Sequence, residues 1–560
     1  MKTFYPPLLL TLGALAVAGT AFAQVPSTND TSDQYFNTGM GTNALFGLTP
    51  PGAGTGCAIS EGCYNTASGY QALYSDQIGA ANTASGYQTL YSNTTGHDNT
   101  ATGFTALFFN TTGSFNTASG EGALLYNTTG WNNTASGLDA LFVNTTGSYN
   151  TADGEWALYY NGGGNYNTAV GYQALFGVYS AYGAGSIGSQ NTAIGMNALY
   201  ENGTGIDNTA SGVSALYSNT SGNYNTASGV NSLYSTTTGN NNTASGYQAL
   251  YGAPISGNNP NGATGSYNTG NGTYALYSYS TGSNNLASGY SALYSNTTGD
   301  NNVASGANAL YDNTTGMFNT ATGAGALVKN MSGNYNVAEG AHASGDLTTG
   351  SENIAVGYKA GSMLTTGSNN IHIGSLGVAT DNGVIRIGAI TGKTSTQSAT
   401  YIAGIYGVTI TSGLPVVIDS KGQLGTTSSS ERFKTAIEPM GSNTAKLLEL
   451  RPVTFHYKAD PKGTLRYGLI AEDVAKVYPE LVVRDDSGRI DGVRYDELAP
   501  MLLNEVQQEQ QKIAAQAAEI RDLQQQQKQF ATQSEVQDLK QQLQAALLKL
   551  RAQDDLVARR

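Results

Sequence analysis

The sequence predicts a mainly β fold: a parallel β-roll or solenoid shaft of about 17-residue coils, then a small α+β domain and a C-terminal coiled coil. Three observations predict it. An Asn and a Gly four residues later recur at a 17-residue pitch, the composition changes near residue 420, and apolar residues take helical spacing at the C-terminal end. A short fixed period is typical of stacked coils, each too small to bury a core alone.

The repeated unit has a physical reason at each position. Residues 82–96 read Asn-Thr-Ala-Ser-Gly-Tyr-Gln-Thr-Leu-Tyr-Ser-Asn-Thr-Thr-Gly. We expect the Gly to form a backbone corner and the Asn to hydrogen-bond to its copy in the next coil as a ladder. The Ala and Leu should alternate inward, and the Tyr should stack in a column. Such a perimeter fits two short strands and two turns per coil. The leading Asn stands at positions 65, 82, 99, 116, 133, 150, 167, 191, 208, 225, 242, 268, 285, 302, 319, 336, 353 and 370.

Three insertions interrupt this pitch, after Asn37, Asn167 and Asn242, and lengthen single coils by 11, 7 and 9 residues. They should leave the shaft as loops on one side, where solenoids commonly carry binding surface. The first insertion holds both cysteines, Cys57 and Cys63. A local disulfide is expected in an oxidising compartment, with free thiols as the alternative. Two cysteines lack the further ligands of a metal site, and no residue indicates a cofactor.

The first residues indicate export. Residues 1–23 read as a secretory signal with a basic start, an apolar stretch and a small-residue cleavage site, and residues 24–36 as a linker. No later stretch is apolar for long enough to span a bilayer. The sequence therefore predicts a secreted or surface-exposed protein without a transmembrane segment after signal cleavage.

Charge divides the chain into an acidic and a balanced part. Residues 24–420 hold four basic and eighteen acidic side chains, whereas residues 421–560 hold twenty of each. The acidic part argues against nucleic acid as a partner, because such binding requires a basic stripe. We assign residues 37–390 to the shaft and residues 391–426 to a β collar or linker, since Thr400 to Val417 is rich in β-branched and aromatic residues.

The repeat resembles the head of YadA-like trimeric autotransporter adhesins, a parallel β-roll of Asn-x-x-x-Gly-x-x-Ala units. Residues 191–195, 353–357 and 370–374 carry the nearest similarity, and residues 384–388 follow at that family's shorter pitch. Most units here are three residues longer, and no terminal membrane barrel follows. The resemblance implies the roll fold and a homotrimer.

A second resemblance covers residues 427–525. The stretches 427–434, 447–455, 467–474 and 478–482 resemble the C-terminal intramolecular chaperone and auto-processing domain of phage tail spikes and fibres, the endosialidase-type self-cleaving serine peptidase family. That family's Ser-Asp-x-x-x-Lys motif implies Ser429 as nucleophile and Lys434 as base. Ser430 stands where the family commonly has Asp. The alternative is that residues 428–430 are a flexible linker.

The C-terminal end, residues 498–555, is predicted to be a trimeric coiled coil that overlaps the chaperone domain. Apolar residues follow helical spacing in two stretches. The heptad phase slips by two near Thr532 and Ser534, and Ser534 with Gln537 fits a capping box that restarts the helix. Glutamines at seam positions make the predicted coiled coil weaker than an apolar one.

Together these features predict a secreted or surface-exposed homotrimeric fibre of adhesin type, whose C-terminal domain drives trimerisation and cleaves itself off. Its receptor would be a cell-surface glycan or protein. One alternative is a glycan-active enzyme of the tail-spike type; against it, the acidic residues of the shaft are scattered rather than clustered in the sequence. Another is a prophage receptor-binding tail fibre, which the signal peptide opposes. The acidic residues considered are Glu121, Asp139, Asp153, Glu155 and Glu201. The Asn-Thr-Thr triplets also fit glycosylation sequons, but turn chemistry explains them without a glycan.

Overall fold

The computed structural model describes residues 33–49, 57, 62–178, 187–253, 262–388, 402, 415–418, 423–426, 428–485, 487–530 and 533–558. The predicted signal peptide and most of the predicted N-terminal linker and β collar lie outside the described residues. The chain divides into two compact units, Met1–Thr400 and Tyr401–Arg560.

Short parallel strands build the first unit. Each coil contributes three residues that pair in register with the same residues of the next coil, as Thr83 pairs with Thr100 and Ala84 with Ala101. The resulting 20-stranded parallel sheet confirms the predicted solenoid of about 17-residue coils. Its strands β1–β20 are Thr38–Met40, Thr66–Ser68, Thr83–Ser85, Thr100–Thr102, Thr117–Ser119, Thr134–Ser136, Thr151–Asp153, Thr168–Val170, Thr192–Ile194, Thr209–Ser211, Thr226–Ser228, Thr243–Ser245, Thr269–Asn271, Leu286–Ser288, Val303–Ser305, Thr320–Thr322, Val337–Glu339, Ile354–Val356, Ile371–Ile373 and Ile385–Ile387.

The coil corrects two details of the sequence prediction. The described coils carry one strand each rather than two, and the rest of each coil is turn. Ala106 and Leu107 do not alternate but are both fully buried. The reason is the left-handed backbone of Thr105 and Leu107, each with φ 53°, which folds the chain so that consecutive side chains point inward. These Leu and Ala positions form one core along the shaft.

The glycine corner is confirmed. Gly86 has a φ of 141°, and a Cβ atom there would lie 2.2 Å from the carbonyl oxygen of Gly103 in the next coil. L-residues rarely adopt this backbone, and the close approach leaves no room for a side chain. The glycine therefore sets how closely the coils stack.

Two asparagine ladders run through the interior. In the predicted one, Asn99 donates through its backbone N and Nδ2 to Asn82 Oδ1 at 3.0 and 3.1 Å. In a second ladder Asn110 Nδ2 donates to Asn93 Oδ1 at 2.8 Å. Asn93 belongs to an Asn-Thr-Thr triplet and is fully buried. Its amide hydrogen-bonds within the ladder, which agrees with a structural role for the triplet rather than a glycan on Asn93.

The predicted aromatic column is also present. Its members stack on the equivalent ring of the next coil, with centroids 4.9 Å apart for Tyr74 and Tyr91 and again for Tyr91 and Phe108. The ring faces contact each other, so solvent reaches mainly ring edges. Between Phe108 and Phe142 the ring contacts run from Phe108 to Phe109, then to Tyr126, and from there to Phe142.

A buried ionic cluster ends the shaft core, at positions where other coils carry the strand Ala. His372 is fully buried, and its Nε2 lies 3.0 Å from Asp381 Oδ2. Arg386 donates through Nε and a terminal nitrogen to the same carboxylate at 2.7 and 2.6 Å. The guanidinium lowers the pKa of Asp381 to about 2. Sequence patterns gave no sign of this cluster.

The second unit mixes short strands and helices around a small core. Val474, Tyr478, Leu481 and Val482 are buried there, and Leu447, Leu450 and Leu469 pack on them in the partly buried layer. Its strands β21–β26 are Val417–Ile418, Leu424–Gly425, Val453–Phe455, Arg466–Gly468, Val482–Arg484 and Ile490–Val493, paired as three antiparallel hairpins. Its 3₁₀ helices are Glu431–Phe433, Gly441–Glu449 and Pro479–Leu481, and its α-helices α1–α3 are Ala471–Val477, Tyr495–Phe530 and Gln533–Val557.

α2 ends at Phe530 and α3 begins at Gln533. The predicted slip of the heptad phase near Thr532 and Ser534 falls partly outside the described residues. Both helices leave apolar side chains exposed, among them Ile513, Ile520 and Leu543. The trimeric coiled coil remains a prediction. Among the described residues, no helix has the length and hydropathy needed to cross a membrane.

Candidate active site

A short turn positions the two predicted catalytic side chains. The 3₁₀ helix Glu431–Phe433 is closed by Phe433 N donating to Ser430 O and Lys434 N donating to Glu431 O, each at 3.0 Å. Ser430 caps the helix with extended backbone and makes no side-chain cap hydrogen bond. This turn reverses the chain between Ser429 and Lys434, so that residues five apart face each other.

The structure brings the predicted pair into contact. Lys434 Nζ lies 3.2 Å from Ser429 Oγ and donates a hydrogen bond to it. This is the distance at which a base receives the hydroxyl proton of a nucleophile. Both side chains are exposed in the single chain. A lysine accepts a proton only when it is neutral, and burial favours that neutral form. The contact therefore places the Lys434 amine next to the Ser429 hydroxyl, but in the single chain water still surrounds both groups.

The turn surrounding the pair is open and cationic. The Arg432 guanidinium lies over the Phe433 ring, 4.6 Å from its centroid, and Phe433 is itself largely exposed. The face of an aromatic ring attracts such a cation by about 0.5–1 kcal/mol at an exposed site. The turn therefore displays an aromatic ring with a guanidinium on its face beside the Ser429–Lys434 pair.

A polar anchor holds the 3₁₀ helix Gly441–Glu449 on α2. Thr444 Oγ1 donates to Glu505 Oε2 at 2.9 Å, and Asn504 Nδ2 donates to Gly441 O at 2.9 Å. Thr444 and Glu505 are buried. Sequence reasoning missed this anchor, because contacts between residues some sixty apart leave no local pattern; the only available signal was that Asn504 and Glu505 interrupt an otherwise apolar helical stripe.

Exposed ion pairs connect α1 to Arg451 and to its own last turn. Asp473 accepts hydrogen bonds from Arg451 at 2.9 Å and Lys476 at 3.0 Å, which lower the pKa of its carboxyl group, the Arg451 contact contributing most. Tyr478, at the end of α1, donates its hydroxyl to Asn443 O at 3.0 Å. Its burial raises the pKa of the phenol. These contacts tie α1 to the Gly441–Glu449 helix and to the segment that follows it.

Part of the C-terminal unit is similar to a known family. Residues 429–483 match the chaperone of endosialidase. The matched segment begins at Ser429 and contains Lys434, which confirms the resemblance predicted for this part of the chain. No curated protein and no solved structure matches the chain, so the YadA-like resemblance of the repeat remains a prediction.

The solenoid shaft and the chaperone segment together indicate a tail-fibre-like structural protein. Cys57 and Cys63 are bonded to each other, with Cα atoms 5.8 Å apart. Within the described ranges, no group of three His, Cys, Asp or Glu side chains is placed to hold a metal ion.

The acidic residues of the shaft are less scattered than their sequence positions suggest. Burial raises the pKa of Asp139, and charge repulsion from Glu121 and Glu155 adds to that effect. The three carboxylates thus share one neighbourhood, because the coil pitch brings residues about 17 apart into contact. A hydrogen bond from Trp156 to Asp139 acts in the opposite direction. These three acidic residues are therefore closer together than their sequence positions indicate, and the glycan-active alternative stays a prediction.

Proposed function

We propose that this protein is an exported homotrimeric fibre whose C-terminal domain aligns three chains and then cleaves itself from the shaft. The 3.2 Å contact between Lys434 Nζ and Ser429 Oγ, inside the segment that matches the chaperone of endosialidase, carries this proposal. The basic and apolar character of residues 1–23 supports export. The Cys57–Cys63 bond suits an oxidising compartment.

The cleavage chemistry follows from the pair. Lys434, once neutral, takes the Ser429 hydroxyl proton as Oγ attacks a neighbouring peptide carbonyl carbon. The new C–O bond gives an ester, the peptide C–N bond breaks as its nitrogen receives the proton, and water then hydrolyses the ester. Attack on the carbonyl of Ser428 passes through an unstrained ring, whereas attack on the carbonyl of Ser429 itself would need a strained lactone. We therefore favour a fragment that begins at Ser429 over one that begins at Ser430.

Assembly of the trimer would shield Lys434 from water, which the single chain does not do. Phe433 and the apolar side chains of α2 are exposed in one chain, and packing of three copies would bury them and remove water from Lys434. Cleavage would then follow trimerisation rather than precede it.

The order of events gives the domain its purpose. Strand pairing in the shaft joins residues at least 14 apart along the chain, and such sheets form slowly and are prone to mispairing. Three aligned chains lower that risk. Removal of the domain afterwards leaves the shaft kinetically trapped, because the folding aid is no longer attached.

Denaturing electrophoresis with and without boiling, combined with mass spectrometry of the fragments, tests this proposal. Wild-type protein should yield a C-terminal fragment that starts at Ser429, together with a shaft that runs as a trimer until boiled. Ser429→Ala and Lys434→Ala should remain full length, while the matched control Ser428→Ala should still be cut. Processing of Ser429→Ala at the wild-type rate, or a folded wild type that stays intact, would refute self-cleavage; a monomeric shaft in sedimentation would refute the trimer.

The shaft is proposed to bind a cell-surface glycan or protein as an adhesin does. Its aromatic column differs from a bare stack of coils, and so do the three insertions predicted from the sequence, most of whose residues lie outside the described part of the chain. A glycan array probed with the fluorescent wild-type trimer, with an insertion-free shaft as control, measures this binding directly.

A further inference from the structure

Two large side chains stand on either side of a gap at one corner of the shaft. Four successive coils carry His97, Ser114, Trp131 and Ser148 at the same position, two residues before the leading Asn. Ser114 Oγ accepts a hydrogen bond from His97 N at 3.1 Å, and Ser148 Oγ accepts one from Trp131 N at 3.2 Å. Both serines are buried, so their side chains turn back against the preceding coil, whereas the two rings project. The space above Ser114, between the His97 and Trp131 rings, is called the notch below.

The notch has an aromatic wall at one end and a polar wall at the other. His97 and Trp131 lie two coils apart, which is about 10 Å at the usual strand spacing. Asp98 places its carboxylate at the His97 end, where Oδ2 lies 2.9 Å from His97 Nδ1. Phe115 is 48% exposed, and its ring meets the His97 ring edge-on with centroids 4.9 Å apart. Apolar and polar groups thus face each other across one small serine.

Trp131 is turned out of the ring stack that follows it. Its plane is tilted by 61° from the ring of Tyr149, whereas Tyr149 and Tyr166 stack nearly parallel, at 6°. Rings that stack face to face leave mainly their edges to solvent, but Tyr149 does not lie flat on the tilted indole. Trp131 is 45% exposed. The wall of the notch therefore offers a broad, flat and apolar surface to a ligand.

The chemistry of the notch fits a sugar better than a peptide. Peptides commonly bind by adding a strand to a free sheet edge, but the backbone N–H groups of His97 and Trp131 already donate to serines of the next coil. Small-molecule sites combine aromatic surface with a few polar groups that fix orientation. A pyranose with equatorial substituents has flat C–H faces and a rim of hydroxyls, so it can lie on the indole while a hydroxyl donates to Asp98.

Charge selects among sugars. No lysine or arginine occurs between residues 24 and 328, so an acidic sugar would meet the Asp98 carboxylate without a counter-charge. Two like charges at short range repel each other. The notch therefore favours a neutral sugar.

We propose that the notch binds a neutral oligosaccharide of β-linked, equatorially substituted pyranoses, of the glucose or N-acetylglucosamine type. One ring stacks on Trp131, the next lies over Ser114 against Phe115, and a hydroxyl donates to the Asp98 carboxylate. This inference rests on the proposed adhesin function and names the sugar class and the coils that carry it.

Tryptophan fluorescence tests the stacking. The chain holds two tryptophans, Trp131 and Trp156, so a full-length Trp156→Phe variant reports on Trp131 alone. Titration with cellotetraose and, separately, with N-acetylated chitotetraose should give a saturable shift of the emission for at least one of the two, and the responding sugar identifies the type. Sialyllactose, an acidic sugar, should give none. No shift with either neutral sugar, or a saturable shift with sialyllactose alone, would overturn the assignment.

Calorimetric titration with the responding sugar tests the residues. Trp131→Ala should weaken binding by roughly tenfold or more, as loss of a central aromatic anchor does, and Asp98→Asn should weaken it less. Tyr224→Ala is the matched control, because Tyr224 stands one residue before its leading Asn, as Phe115 does, and is 56% exposed. It should bind as wild type does, and circular dichroism checks that all variants keep the fold.

The outcomes separate this inference from the proposed function. Equal affinities of Trp131→Ala and wild type, with sugar still bound, would overturn the notch and leave glycan recognition by the shaft intact. Equal losses for Trp131→Ala and Tyr224→Ala would overturn it as well. A wild-type trimer that binds nothing on a whole glycan array would refute the proposed glycan receptor itself.

Discussion

The shaft and the C-terminal unit differ in how much of their side chains they bury. The shaft buries asparagine, alanine and leucine in most of its coils and pairs most of its buried amides along ladders within one chain. The C-terminal unit buries four core residues and leaves Leu502, Val506 and Ile513 exposed on α2. The first region packs its side chains within one chain, whereas the second leaves apolar side chains in solvent, where the proposed trimer would cover them. The proposed release of the second from the first fits this division.

The repeat explains why the shaft holds its residues more tightly than the C-terminal unit does. A coil fixes each side chain against its copy in the next coil, so a local conformation that costs energy alone is held by neighbours on both sides. Leu90 keeps a φ of 52° in this way, although such a backbone is costly for leucine. The C-terminal unit has no repeated neighbours and shows positive φ at a non-glycine residue only at Ala436 among its described residues.

The largest expected effect is that of a side chain at a shaft glycine. A Cβ at Gly323 would lie 2.6 Å from the carbonyl carbon of Gly340, so Gly323→Val should destabilise the shaft by roughly 4 kcal/mol or more through strain and overpacking. Gly488 in the C-terminal unit has a φ of 79° and nothing within 4 Å of a built Cβ. Gly488→Val should cost only about 1–2 kcal/mol.

Thermal unfolding followed by circular dichroism measures this difference, with Ala326→Ser as a milder change in the same coil as Gly323. Equal shifts of the transition for Gly323→Val and Ala326→Ser would contradict the glycine corner. Equal shifts for the Gly323 and Gly488 variants would remove the contrast between the two regions.

A ladder asparagine should rank second. Asn116 donates to Gly130 O at 2.9 Å and accepts from the backbone N and Nδ2 of Asn133, each at 3.1 Å. Asn116→Ala would leave the buried backbone N–H of Asn133 without its partner and weaken the ladder at this coil, at a cost of about 2–3 kcal/mol. Gly130 O would keep its hydrogen bond from Asn127, and Asn133 Nδ2 its hydrogen bond to Gly147 O. Asn504→Ala in the C-terminal unit removes hydrogen bonds at a partly solvated position and should cost about 1 kcal/mol.

Urea unfolding curves of both variants and of wild type test this ranking, because the shift of each midpoint reports the stability that the variant has lost. If Asn116→Ala unfolds at the wild-type urea concentration, the ladder is not a source of shaft stability.

Sequence reasoning could reach the parts of this molecule that repeat or that lie within a few residues of each other. The pitch, the ladder through Asn82 and the glycine corner followed from the repeat, and the Ser429–Lys434 pairing followed from a motif of six residues. The left-handed leucines did not, because isolated leucine avoids that backbone and only the stacked coils impose it. The Thr444–Glu505 contact did not either, since it joins distant segments through tertiary packing.

A third effect concerns a shaft residue that departs from the repeat consensus, and its size depends on pH. Asp76 occupies a place in the second ladder where Asn93 stands one coil later, and Asn93 Nδ2 donates to it at 3.0 Å. Burial raises the pKa of Asp76 to about 8. The unfolded chain releases this proton near pH 4 while the folded chain keeps it, so the Asp76 contribution to stability is full below pH 4 and is lost as pH rises toward 8.

Asp76→Asn restores the ladder amide and removes this titration. We expect the variant to melt at a higher temperature than wild type at pH 8 or above, with the gap closing as the pH falls toward 4. Thermal midpoints measured across that range for both proteins decide the matter. A gap that widens toward acid pH would mean that Asp76 is ionised in the folded shaft.

The smallest effect is expected where the two regions are alike, at their surface ion pairs. Lys329 Nζ lies 2.7 Å from Asp346 Oδ1 across neighbouring coils, and a terminal nitrogen of Arg451 lies 2.9 Å from Asp473 Oδ2 in the C-terminal unit. Water and salt screen such exposed charges, so holding two long side chains together gains little. Lys329→Met and Arg451→Met should each leave the thermal midpoint within the scatter of replicate measurements. If Lys329→Met instead lowers the midpoint clearly and Arg451→Met does not, the stacking of coils strengthens surface contacts as well as buried ones, and the contrast between the regions extends to the solvent.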